Sequence, residues 1–284
     1  MAKTEIDIAL SGLDALEFDL PSRPSRALAL WNALWPKLAA ITLVLGAWQL
    51  VVWSGWKSET ILPSPATVFP ELWREVRAGI ILPAVGVTLR RAVLGYSTAL
   101  VIGCALGIAV SRQRVLRQAI GSLITGLQTM PSIAWFPAAI VLFGLNDSAI
   151  FFVVVLGAAP AIANGLIGGI DQIQPVLLKA GRSLGARRIA MWRHVILPAA
   201  LPGFVGGLKQ GWAFAWRSLM AGELIANFGG HRTIGFLLQN SRDQVDYPAM
   251  YAAMVVILIL GIVVDSLVFG RLDTAVRRRW GLAD

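Results

Sequence analysis

Charge is scarce in this chain. Only 14% of its residues are Asp, Glu, Lys or Arg, whereas 56% are hydrophobic, and a soluble domain of 284 residues needs more surface charge than that. Cysteine is almost absent. The single Cys104 excludes a disulfide or a CxxC metal site within one chain, and within its apolar run it reads as a small packing residue. The only histidines, His194 and His231, fall in segments assigned to opposite membrane sides, so they form no metal pair in one subunit. No G-x-x-x-x-G-K-[ST] phosphate loop occurs: Lys209 follows Leu208 and precedes Gln210. Binding of ATP by that device is excluded, and nothing supports an enzyme.

What the chain does have is a series of apolar runs near the ~20 residues that cross a bilayer as a helix. We expect an all-α polytopic membrane protein with about six transmembrane helices. Residues Met1 to Arg26 interleave Glu5, Asp7, Asp14, Glu17 and Asp19 with apolar residues. A secretory signal would begin basic and reach its apolar core sooner. The segment reads as a cytoplasmic tail, either a marginal amphipathic helix or disordered. The spans are expected near Trp35–Trp53, Thr88–Val110, Ala119–Phe143, Ala149–Ile170, Leu201–Ala226 and Ala249–Phe269. Trp48, Trp53 and Trp56 resemble an interfacial belt, and a short surface helix is expected over Ala66–Arg77. Gly95, Gly103 and Gly107 allow close helix approach. Pro131 and Pro137 are expected to break the third span, which a membrane tolerates beside protein or a wet cavity.

The net charge of +9 sits in short loops, which points to the positive-inside bias and not to nucleic acid. With both termini inside, inner basic residues outnumber outer ones roughly two to one. Arg90 and Arg91, placed outside at the opening of the second span, dissent. The strongest inner cluster is the segment from Leu178 to Gly203, with Lys179, Arg182, Arg187, Arg188 and Arg193. Pro175 can open a short helix there, because its missing donor costs nothing in the first turn. Val176, Leu177, Ala180 and Leu184 then share one apolar face, and Gly185 can end the helix in the left-handed region. A second short helix over Ala186–Val195 leads to Pro198, which starts the next span. Two helices meeting at a glycine make a knob. The simplest role for a basic knob is contact with anionic lipid.

Within the fifth span, Lys209, Trp216 and Glu223 recur at heptad spacing near one helix face, with Trp212 beside them. Arg217 is offset roughly a quarter turn from Lys209. Its planar fork suits sulfonate, nitrate or carboxylate oxygens. Ionisable residues in a span face a bundle interior or a wet cavity. Arg217 and Glu223 therefore either meet solute or pair structurally with a neighbouring helix or subunit, and Lys209 either lines the pathway or snorkels. Trp135, between the two prolines, is a further pathway candidate, with plain packing as its alternative.

The run Lys179-Ala180-Gly181-Arg182-Ser183-Leu184-Gly185, nine residues to Val195, then Leu197-Pro198, resembles the EAA loop of ABC-importer permeases. Leu62-Pro63-Ser64-Pro65, Thr88-Leu89-Arg90-Arg91, Gln128-Thr129-Met130-Pro131 and Ala215-Trp216-Arg217-Ser218 with Ala221-Gly222-Glu223 are similar to the sulfonate/taurine/nitrate branch. The resemblance implies a type I permease fold, with a family-like core over about residues 85–275 of a permease domain spanning 31–284, after a tail of residues 1–30. It implies a coupling loop over 175–198, with Lys179, Ala180, Arg182, Leu184, Gly185, Ala186 and Pro198 facing an ATPase. It also implies two ATP-binding subunits that hold ATP and Mg, a second copy of the chain, a periplasmic or lipoprotein solute-binding protein and no cofactor in this chain. The location it implies is the bacterial inner membrane. Lys179 stands where the family has glutamate and Gly181 where it has alanine. A different class, an ion-driven carrier, would show inverted repeats with broken helices in both halves. Only one broken region is visible.

Overall fold

The computed structural model describes residues 26–225 and 232–281. The expected N-terminal tail and His231 lie outside the described residues. The described chain is all-α and divides into two units, one ending at Glu59 and one beginning at Thr60.

The first unit is a single helix, α1 (Arg26–Trp53), whose apolar stretch Leu34–Trp53 is long enough to cross a bilayer. Its large side chains, among them Leu43, Leu50 and Trp53, are exposed. That is what a helix hydrophobic all round does when lipid is its solvent.

In the second unit, Ser64 precedes α2 (Pro65–Arg77), and Pro65 occupies the first turn, where a missing N–H is harmless. Only Val68 of α2 is fully buried. Helix α3 (Ile81–Arg112) begins about two turns before the expected start at Thr88. The reason is Arg91, which is not an interfacial residue opening the span. It is buried and paired inside the bundle, so the helix can carry it.

The third apolar region breaks as expected, but only at one proline. Helix α4 (Arg114–Thr129) gives way at Met130-Pro131 to a 3-10 turn, Ser132–Trp135, and then α5 (Phe136–Phe143), with a bend of 102°. Pro137 lies in the first turn of α5, where it starts a helix and breaks none. Gly144, at φ +72°, ends α5. Helix α6 (Asp147–Asp171) follows, with Asn146 Oδ1 capping the N–H of Ser148 at 2.8 Å.

Pro175 opens α7 (Pro175–Ser183). The second short helix and the fresh start at Pro198 do not materialise. Instead α8 runs unbroken from Ile189 to Ile225 with a π-turn at Trp192–Ile196. There the N–H of Leu197 reaches the carbonyl of Trp192, five residues back. The widened turn accommodates Pro198, which has no N–H to contribute. Helix α9 (Ile234–Asp243) and α10 (Tyr247–Arg279) complete the chain. Helix α10 carries a π-turn at Asp265–Gly270 and continues through the C-terminal arginines.

Five helices, α1, α3, α6, α8 and α10, are long and apolar enough to span, and the bent α4/α5 pair makes a sixth. Helix α6 is the centre of the second unit, packed between α3 and α8. The approach is close because both faces carry glycine. A Cβ on Gly207 would lie 2.4 Å from the Cα of Gly165, and one on Gly103 would lie 2.7 Å from the carbonyl of Ala159. Lipid chains are as apolar as leucine, so this backbone-to-backbone packing supplies attraction that burial alone cannot supply in a membrane.

Candidate functional site

Four groups of polar side chains interrupt this apolar bundle. The first surrounds Glu223, near the C-terminal end of α8. Its side chain is wholly buried. Thr88 Oγ1 on α3 donates to it at 2.9 Å, and the N–H of Gly235, in the first turn of α9, donates at 3.3 Å. The guanidinium of Arg91 stands 3.6 Å away and donates to Asp147, at the start of α6, at 2.6 Å. The N–H of Ile234 donates to Thr88 Oγ1 at 3.1 Å. A carboxylate with these partners at a helix N-terminus is a fastening. It holds α3, α6, α8 and α9 together. Of the two readings open for Glu223, this structure shows the structural pairing. Arg91 and Asp147, the residues that complete the group, were not expected in this role. The signal was present in Thr88 and Arg91, polar residues three apart and so on one face of the helix.

The second group contains the aromatic candidates. Trp212 and Trp216 stack at 6.0 Å, Tyr96 meets Trp212 edge-on at 5.5 Å, and Phe269 joins from α10. The hydroxyl of Tyr96 donates to the carbonyl of Leu208 at 2.9 Å. Trp212 is buried in the core cluster, with Trp216 and Trp135 packed against it. The structure therefore gives all three tryptophans a packing position. Lys209 lies beside this cluster and pairs with Asp265 at 3.1 Å. Asp265 begins the π-turn of α10 and had not been anticipated as its partner.

The third group forms a cavity at the break in the bent span. Its volume is about 420 Å³, and its walls come from the end of α4, the 3-10 turn, α6 and α8. Arg217 faces it with Gln128, Thr129 and Ser132. The Nε of Arg217 donates to the carbonyl of Ala213 at 3.1 Å, and the guanidinium lies over Phe214 at 4.7 Å. These contacts aim the arginine while leaving its terminal nitrogens to the cavity. Among the described residues, no acidic one lines the walls. Lys209, Trp216 and Glu223 are not among the residues that line this cavity. Their heptad spacing places them together, but each meets a different neighbour.

The fourth group is the knob. Helix α7 ends at Gly185, whose φ of +82° only glycine adopts freely. The N–H of Ala186 closes the turn onto the carbonyl of Gly181 at 2.9 Å. Leu184 is 88% exposed and Ile189 78%. Lys179, Ala180 and Arg182 are exposed and Ala186 half-buried, while Pro198 lies within α8. The glycine at 181 has a steric reason, since a Cβ there would come within 2.9 Å of Val195 Cγ2. Two contacts hold the knob's flanks. Arg117 donates to Asp171 at 2.6 Å on the near side of α7, and Arg112 lies over Trp192 at 4.6 Å beyond it.

A bundle of spans around a glycine-packed central helix, with a cavity at a broken span and a knob that exposes leucine and isoleucine at one end, is the architecture of a membrane transport component. Residues 99–280 match the family described as the binding-protein-dependent transport system inner membrane component. The chain belongs to that family and is an ABC-importer permease, a multi-pass inner-membrane protein. Members are transport components working with ATP-binding subunits and a solute-binding protein, and a permease component carries no catalytic activity of its own.

The putative aliphatic sulfonates transport permease SsuC of Escherichia coli (strain K12) is 30% identical over 222 residues, covering 78% of this chain and 83% of that protein. The taurine transport system permease TauC of the same strain is 26% identical over 243 residues, covering 81% and 87%. The nitrate import permease NrtB of Leptolyngbya laminosa is 26% identical, covering 82% and 84%. In fold, the chain resembles the inward-facing methionine ABC transporter MetNI, with a TM-score of 0.58 at 23% identity over 73% of this chain and 98% of that one. The expected type I permease fold and the sulfonate/taurine/nitrate branch are thereby borne out. The ion-driven carrier is not.

Proposed function

We propose that this permease carries a small anionic solute of the aliphatic sulfonate or taurine type, and that Arg217 meets it in the cavity at the broken span. The observation that carries this reading is the guanidinium of Arg217, aimed into a cavity with no acid in its walls. Such a cation favours an anion, and its planar fork fits two oxygens of one ligand. Nitrate, bicarbonate and a pyrimidine-precursor-like ligand share that chemistry and form the second reading, supported by the nitrate relative.

In this reading one chain holds one half of the pathway, so the working unit is a homodimer. Two ATP-binding subunits, which hold the ATP and Mg, dock on the two knobs from the cytoplasm, where both termini also lie. A periplasmic or lipoprotein solute-binding protein delivers cargo on the other side, and nucleic acid has no part. Lys179, Ala180, Arg182, Leu184, Gly185 and Ala186 make the contact, and Pro198 sits where α8 receives the movement. Apolar side chains as exposed as Leu184 and Ile189 require either a partner or lipid, and α7 is too polar to enter hydrocarbon. ATP-driven closure of the two ATPases would then press the knobs inward and open the cavity outward.

The test is ATP-driven uptake in vesicles holding the full transporter. Leu184→Asp and Gly185→Val should each abolish uptake of taurine or ethanesulfonate while the permease stays in the membrane. Wild-type uptake in both variants would refute the coupling role.

A further inference from the structure

We infer that Gln128 is a second anion-binding residue of the cavity and that Asn164 sets its orientation. The inference rests on the reading of this cavity as the solute site, and it comes from following each donor and acceptor in the walls. Asn164 Nδ2, on α6, donates to Gln128 Oε1, on α4, at 2.6 Å. A primary amide has one acceptor oxygen and two N–H donors. With its oxygen turned to Asn164, Gln128 presents its N–H groups to the cavity it lines.

Ser132 and Arg217 follow the same pattern, and Thr129 does not. Ser218 Oγ donates to Ser132 Oγ at 2.8 Å, which leaves the Ser132 proton for the cavity. The hydroxyl proton of Thr129 is used on the carbonyl of Gly126 at 2.8 Å. Arg217 uses Nε on its own helix and keeps its terminal nitrogens. Three elements therefore contribute donors: α4 through Gln128, the 3-10 turn through Ser132, and α8 through Arg217. Such a wall suits a ligand with several acceptor oxygens, which guanidinium and amide can share. A cation meets the charge of Arg217 and no acidic side chain there, and a donor-rich neutral solute would leave the wall's N–H groups unpaired at a cost. Arg217 supplies the charge, and Gln128 supplies the requirement for a second oxygen.

The experiment is equilibrium binding of radiolabelled ethanesulfonate and of nitrate to the assembled permease–ATPase complex in nanodiscs, without the solute-binding protein. Asn164→Asp is isosteric but accepts only, so Gln128 must turn its N–H groups toward α6 and present its oxygen to the cavity. Neutral Asn164→Leu frees Gln128 without adding charge, and if only the charged variant weakens binding, repulsion and not the turn of Gln128 is the cause. The expected result for Asn164→Asp is a Kd about tenfold weaker, the loss of one charge-assisted hydrogen bond, with an unchanged thermal midpoint. Gln128→Glu should weaken binding at least as much. Gln128→Lys keeps donors at the position and should bind within about threefold of wild type. Unchanged affinity in Asn164→Asp would overturn the inference, as would a fall in midpoint matching the fall in binding. Arg217→Gln in the same assay separates the two levels. If it loses binding while Asn164→Asp does not, only the role of Gln128 fails. If wild type binds neither probe, or Arg217→Gln binds like wild type, the solute site itself is elsewhere.

Discussion

Glu223 and Arg217 lie six residues apart on one helix, and the bundle treats them in opposite ways. Glu223 has no exposed side-chain surface, and α3, α6 and α9 all contribute to its network. Arg217 spends one nitrogen on its own backbone, rests on Phe214, and opens to a cavity. What separates them is their direction around the helix, since six residues turn the side chain by about 120° at 3.6 residues per turn. An ionisable group in a span is commonly read as functional. Here one such group holds the bundle together and the other is available to a ligand.

The contrast can be broken from the structural side first. Arg91→Leu leaves Glu223 buried without its cation, and the expected cost is about 3–5 kcal/mol. The measurement is the thermal midpoint of the purified permease, or its abundance in the membrane. A stable Arg91→Leu protein would make the Glu223 network dispensable. A smaller effect is expected from Gly207→Val, which drives α8 away from Gly165 on α6 at a cost of about 1–3 kcal/mol. It should lower stability without changing which anion is carried, as selectivity in competition uptake would show. If it altered selectivity at normal stability, the α6/α8 seam would belong to the site.

The sequence showed some of this and concealed the rest, for physical reasons. Helix α7 and its stop at Gly185 were legible because proline and glycine act locally, within one turn of themselves. Gly103 was legible because small residues at helical spacing have one main use in a membrane. The partners of Glu223 were not legible. Arg91 lies far away in sequence, and its charge suggested the membrane surface until the fold supplied Asp147 and Glu223. Pro137 misled because a proline breaks a helix only in its interior, and here the preceding 3-10 turn places it at a start. The unbroken α8 was hidden for a related reason: the π-turn that admits Pro198 is a feature of backbone hydrogen bonding, with no residue signature of its own. Lys209 and Asp265 come from distant segments, and only the packing of α8 against α10 pairs them.

The most direct test of the account is Arg217→Gln, measured for both stability and ATP-driven uptake in the assembled transporter. The account predicts a thermal midpoint close to wild type, within about 1 kcal/mol as for an exposed group outside any buried network. It also predicts uptake of ethanesulfonate reduced by at least about tenfold. A destabilised variant, or a stable one that still carries the anion at the wild-type rate, would contradict it.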